Sequence, residues 1–132
     1  MILSLRDVTM NPIRVMIVDD HDSVRRGLSF SLRIFDGLQC VGAADNGCEA
    51  VRLCDQLHPD VVLMDIKMPQ MDGIDATRLI RREHPEIRVI ALSSDKDPES
   101  YQAMRRAGAE AFLLKSASID EIAKTILATS TV

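Results

Sequence analysis

A doubly wound α/β fold, with five parallel strands alternating with helices, is what this sequence predicts. Three observations predict it. Short apolar runs alternate five times with amphipathic segments of helical period. Most of the runs are near-continuously apolar, as expected of a parallel sheet covered on both faces. Polar residues terminate four of the five runs at what would be strand carboxyl ends, the rim where such sheets place a ligand.

The elements follow in order. Residues 13–18 form the first strand, and Val24, Leu28, Leu32 and Phe35 then fall at helical spacing until Gly37. The second strand covers 39–43 and ends quietly in "GAAD". Asn46 and Glu49 resemble a capping box for a helix carrying Val51, Cys54 and Leu57, stopped before Pro59. The third strand is 61–64, and a helical stretch after it stops before Pro85. The fourth is 88–92. Asp97 then supplies an N-cap with Pro98 at the first helical position, and Gly108 a stop. The fifth strand is 111–114. Ser118 and Glu121 read as a second capping box, for a helix with Ile119, Ile122, Ala123 and Ile126 on its buried face.

With 132 residues, 46% hydrophobic and 27% charged, the chain suits one domain with a real core. A formal net charge of -4 and a pI near 5.3 argue against nucleic-acid binding by this chain alone. Cys40, Cys48 and Cys54 are odd in number and lack a CxxC spacing, so they read as small core or surface thiols in a reducing cytoplasm. No apolar run is long enough to span a membrane. The opening "MILSLRDVTMNP" lacks a basic stretch before its apolar patch and has an acid soon after, so it is a poor match to a signal peptide. Residues 1–12 are expected to be a flexible leader, 13–130 the domain, with no output domain in this chain.

The rim carries the chemistry. "VMIVDDHDS" runs an apolar strand into Asp19 and Asp20. Asp65 ends the third strand in "VVLMDIKMPQMDG", Ser93 and Ser94 the fourth in "VIALSSD", and Lys115 the fifth in "FLLKSAS". Crowded carboxylates repel, and oxygen donors of this kind suit a hard cation such as magnesium or manganese. A carboxylate can also attack a phosphoryl group to give an aspartyl phosphate, with a metal, a lysine and a hydroxyl neutralising charge. Singly, each residue has a plainer reading: a turn or cap for the aspartates, a loop start for the serines, a snorkelling surface lysine for Lys115. The weight lies in the set.

Taken together, "VDD", "MDIKMPQMDG", "ALSS" and "LLKSAS" resemble the response-regulator receiver domains of bacterial two-component signalling, from about residue 13 to residue 128. The resemblance implies a flavodoxin-like (CheY-like) sandwich with strand order 2-1-3-4-5. It implies that Asp65 accepts the phosphoryl group. It implies that Asp20, with Asp19 beside it, Asp65 and the backbone carbonyl of Lys67 hold Mg2+ or Mn2+. Ser93 would move toward the phosphoryl group, Lys115 would pair with it, and Phe112 would be the rotating aromatic of the fifth strand. Met68, Pro69 and Gly73 match the family's loop after the acceptor.

Two departures stand out. Ser116 follows the lysine where many relatives have proline, so that turn is expected to be trans. Phe112 replaces tyrosine and offers no hydroxyl at the output face. Both features resemble receivers attached to helix-turn-helix domains of the NarL/LuxR type, which implies action on DNA through a domain not in this chain. The implied donor is a histidine kinase, and a second copy of the chain is a candidate partner. Arg25 and Arg26, with Arg33, make the first helix basic, either a solvated face or a kinase-docking one. Lys67 and Asp95 either tune hydrolysis of the phosphoryl group or are solvated loop charges.

The receiver is not expected to be an enzyme beyond its own phosphoryl acceptance and slow autodephosphorylation. The rivals are a stand-alone receiver, a phosphorylation-independent interaction module, and an aspartyl-phosphate phosphatase of the haloacid-dehalogenase type. The last fits poorly, because "DDHDS" departs from the DxDx[TV] of those enzymes.

Overall fold

The computed structural model describes residues 11–130. The expected leader, apart from its last two residues, lies outside them. The elements are β1 (Ile13–Val18), α1 (Asp22–Leu32), β2 (Leu38–Ala44), α2 (Gly47–Leu57), β3 (Val61–Asp65), α3 (Gly73–Glu83), β4 (Arg88–Ser93), α4 (Pro98–Ala107), β5 (Ala111–Leu114) and α5 (Ile119–Ser130). The strands are parallel in the order β2-β1-β3-β4-β5, as the resemblance implied.

Side chains alternate across each strand, so the buried sheet feeds two cores. Met16, Val18, Val62, Met64, Val89 and Ala91 face α2, α3 and α4, where Ala50, Cys54, Ala76, Ile80 and Met104 meet them. Val15, Ile17, Val61, Leu63, Ile90 and Leu92 face α1 and α5, meeting Leu32, Ile122, Ala123 and Ile126. This double cover explains why the strand sequences carry no polar alternation. The edge strand β2 is bulged opposite Val15 and Met16, which twists an otherwise exposed ladder.

Several boundaries differ from the sequence reading. β3 runs on to Asp65 and β4 to Ser93, because neighbouring backbones still pair with both: Asp65 faces Leu92 and Ser93 faces Leu114. The first helix ends at Leu32, capped by Arg33, so Phe35 reaches the core from a turn. Asn46 caps α2 through the Glu49 N–H at 2.9 Å, but the Glu49 carboxylate pairs with Arg52. The capping box is therefore one-sided. Ser118 likewise accepts from the Glu121 N–H at 3.1 Å. Asp97 caps α4 with Pro98 behind it, and Gly108 ends that helix at φ 121°. Asp72 caps α3, a role the sequence reading did not assign.

The loop from β3 to α3 is clamped by two glycines. A Cβ on Gly73 would lie 2.0 Å from the Asp65 carbonyl oxygen, and one on Gly47 would lie 2.3 Å from that of Met71. The Gly47 and Gly73 N–H groups donate to Met71 and Ile66 at 2.9 and 2.8 Å. Close backbone approach, which only a missing side chain permits, thus fixes the segment that follows Asp65.

Candidate functional site

The rim brings Asp19, Asp20, Asp65, Ser93 and Lys115 to the carboxyl ends of β1, β3, β4 and β5. Backbone bonds seat them: the Asp19 N–H donates to Ala44, and the Lys115 N–H to Ser93 at 2.8 Å. Asp19 and Asp65 are buried and Asp20 is exposed. Lys115 reaches both buried acids, with Nζ 2.8 Å from Asp19 Oδ2 and 3.1 Å from Asp65 Oδ2. Those two oxygens have no properly angled hydrogen bond; the ammonium charge is what they have.

The electrostatics follow from that crowding. Burial pushes the Asp65 carboxyl up to about 6 and the Asp19 charge pushes the same way, against the pull of Lys115. Burial alone would lower the Lys115 ammonium, but the carboxylates of Asp19 and Asp65 against it outweigh that and hold its pKa above the ordinary value.

Oxygens of Asp19, Asp20 and Asp65 and a nitrogen of His21 all lie within 4.8 Å of one another. Clustered carboxylates with two buried, poorly partnered oxygens fit a hard divalent cation, which would satisfy them together. His21, unassigned from the sequence, places Nδ1 3.1 Å from both Asp19 and Asp20. Its position directly after the acid pair was the available signal.

Beside Asp65 lies a cleft of about 260 Å³ lined by His21, Lys67, Ser93, Asp95, Ser100 and Lys115, among others. Lys67 and Asp95 therefore flank Asp65. The Ser93 hydroxyl is engaged by the neighbouring loop. It donates to the Asp95 carbonyl and accepts from the Asp95 N–H at 3.2 Å. Phe112 is half-buried, stacked on Tyr101 with centroids 5.0 Å apart, and the Arg105 guanidinium sits 5.0 Å from its ring centre.

The two arginines of α1 separate. Arg25 turns inward, its side chain 19% exposed, and donates to the Asp19 carbonyl at 2.7 Å and to Asp22 at 3.0 Å. It thereby satisfies a carbonyl at the strand end, which needs a donor. Arg26 is 81% exposed and, among the described residues, pairs only with Asp22. The Lys115–Ser116 bond is trans, since the described residues contain no cis peptide bond. Cys54 is buried and pushed up to about 12 by desolvation, Cys40 is half-buried and Cys48 exposed, all as free thiols. Among the described residues no helix is long and apolar enough to cross a membrane.

The sequence model of the response regulator receiver domain family matches residues 15–127. The chain is 44% identical over 114 residues to the response regulator GacA of Pseudomonas viridiflava, covering 86% of this chain and 53% of that protein. It is 43% identical over 118 residues to the transcriptional regulatory protein LiaR of Bacillus subtilis, covering 89% and 56%. The chain thus spans about half the length of the curated relatives it matches. Among solved structures, the signal receiver domain of the response regulator NarL from Mycobacterium tuberculosis superposes with a TM-score of 0.86 at 34% identity, covering 90% of this chain and 96% of that one.

Proposed function

The chain belongs to the response regulator receiver domain family of two-component signalling, and from that membership we propose that Asp65 accepts a phosphoryl group from the phosphohistidine of a histidine kinase. The observation that carries the reading is the convergence of Lys115 on the buried Oδ2 atoms of Asp19 and Asp65. An acceptor carboxylate needs a fixed cation beside it and acids enough to hold a second one.

Asp19, Asp20, Asp65 and the backbone carbonyl of Lys67 would hold Mg2+ or Mn2+, which when bound neutralises charge on the phosphoryl oxygens. An Asp65 oxygen attacks phosphorus, the P–N bond breaks, and the kinase histidine leaves with the bonding pair. Lys115 takes up the new negative charge. Ser93 leaves its bonds to Asp95 and donates to the phosphoryl oxygens, and Phe112 turns into the space vacated. Lys67 and Asp95, at the mouth of the cleft, govern the approach of water and so the lifetime of the phosphoryl group.

Arg25 and Arg26 on α1 serve kinase docking, Arg26 from an exposed position and Arg25 while also holding the acid loop. Turnover is confined to the protein's own acceptance and loss of the phosphoryl group, in the cytoplasm. The name of a relative such as the transcriptional regulatory protein LiaR supports an output on transcription, which we assign to an attached DNA-binding domain; a second copy of the chain is a further proposed partner.

Intact-protein mass after incubation with magnesium and acetyl phosphate tests the acceptor. One added phosphoryl group is expected, absent without magnesium and absent in Asp65→Asn. An Asp65→Asn protein that is labelled to the wild-type level would remove Asp65 from the role. Labelling of neither protein, by acetyl phosphate or by a histidine kinase, would favour an interaction module.

A further inference from the structure

The opposite end of the sheet, where the strands begin, holds a second group of metal-ligand side chains. We propose that His58, His84 and Glu86 bind a borderline divalent transition metal of the zinc class, between the carboxyl ends of α2 and α3 and independent of the acidic rim.

The geometry is convergent. One ligand atom from each of the three residues lies within 4.8 Å of the other two. The imidazoles meet edge to face, with centroids 5.4 Å apart at 81°. His84 Nε2 lies 2.6 Å from Asp55 Oδ1, while Nδ1 lies 3.6 Å from Glu86 Oε2. Neutral His84 with its Nε2 proton on Asp55 carries its lone pair on Nδ1, toward Glu86, and a bound metal would select that form against the imidazolium the surrounding acids favour. That is the carboxylate–histidine–metal arrangement, in which an outer acid fixes the tautomer and raises ligand basicity. Zinc holds N and O ligands at about 2.0–2.1 Å, so adjacent ligand atoms sit about 3.3 Å apart. Glu86, with its side chain 68% exposed, can close the remaining distance by a rotamer change.

The surroundings favour a cation. Both histidines are helix C-caps: the His58 N–H donates to Cys54 and the His84 N–H to Ile80, at the negative ends of two helices. Among the described residues, Asp55 and Glu86 form no ion pair except with His84, and Glu83 joins Asp55 around the same imidazole. Two imidazoles with carboxylates suit zinc, nickel or copper; the rim is dominated by oxygen donors and suits magnesium. The two ends of the sheet thus differ in ligand softness and would select different ions.

The test is zinc titration of the full chain in a large excess of magnesium, followed by affinity and by histidine ring NMR. One equivalent is expected to bind, with the ring signals of His58 and His84 shifting and those of His21, at the rim, unmoved. His58→Asn retains a residue that tolerates the left-handed backbone of this cap, φ 47°. It and Glu86→Gln should each weaken zinc at least tenfold, and Asp55→Asn about tenfold through His84. Zinc shifts confined to His21, equal affinity in His58→Asn and Glu86→Gln, or no uptake below millimolar zinc would each overturn the proposal. Circular dichroism of the variants separates lost ligands from lost fold.

Discussion

Replacing Asp65 by asparagine should make the metal-free protein more stable at neutral pH. The acceptor is buried beside Asp19, and both depend on the one ammonium of Lys115. The Asp65 carboxyl is pushed from its ordinary 3.8 to about 6, first by burial and then by the Asp19 charge. Each tenfold change in proton affinity is worth about 1.4 kcal/mol, so this displacement has a ceiling of about 3 kcal/mol. The rim is open to water, and screening reduces the expected gain to about 1–2 kcal/mol. The sign follows from linkage. Below 3.8 the folded and unfolded chains both hold the proton; between 3.8 and about 6 the folded chain holds it more. Wild-type stability therefore falls across that window and stays lower above it, while the asparagine variant does not follow. Urea unfolding in chelator-treated buffer should show little difference at about pH 4 and a gain for the variant at about pH 7.5. Magnesium at about ten times its dissociation constant should return about 1.4 kcal/mol to the wild type and less to the variant. A variant no more stable at neutral pH, or equally favoured at both pH values, would refute the account of a strained acid cluster.

Lys115→Met leaves two buried carboxylates facing each other and should cost about 2–3 kcal/mol at neutral pH. Most of that loss should vanish when Asp65→Asn is added, as a double-mutant cycle of urea midpoints would show. Gly73→Ala puts a methyl 2.0 Å from the Asp65 carbonyl oxygen, and a thermal melt should fall by about 10 °C as the loop is displaced. Arg25→Ala frees the Asp19 carbonyl, so labelling by acetyl phosphate and by a kinase should slow together. Arg26→Glu should slow the kinase reaction alone, measured by the same mass assay.

The strand–helix alternation was legible because the central strands β1, β3 and β4 are mostly buried on both faces and the helices on one, so period and composition report the environment directly. Asp19, Asp65, Ser93 and Lys115 each have a plain structural use alone; what was legible was the set, four polar residues that all end apolar runs and so share one rim. What was not legible depends on side-chain direction. Arg25 and Arg26 are neighbours of one type, yet one bonds the Asp19 carbonyl and the other faces water. The capping pair Asn46 and Glu49 could not reveal that Arg52 captures the glutamate. Gly47 matters because Met71, remote in sequence, presses its backbone against it. His58 and His84 meet only through the packing of α2 on α3.

Ser93 and Phe112, the two residues of the proposed switch, are both parked by α4 and its entry loop. Ser93 is bonded to Asp95, and Phe112 is stacked on Tyr101 and in contact with the Arg105 guanidinium. If the two move as proposed, Ser93 releases the loop that enters α4 and Phe112 releases contacts of α4 itself. The Tyr101 stack is worth about 0.5–1.5 kcal/mol and the Arg105 contact about 0.5–1 kcal/mol. Removing about 1.4 kcal/mol from the resting side raises a minor state about tenfold. Tyr101→Ala and Arg105→Ala should therefore move backbone NMR signals of β5 part of the way toward the positions reached with beryllofluoride and magnesium, without any phosphoryl donor. The double variant should move them further along the same line. Shifts that leave that line, or none at all, would mean that Phe112 is held by the core beneath it and that α4 only follows.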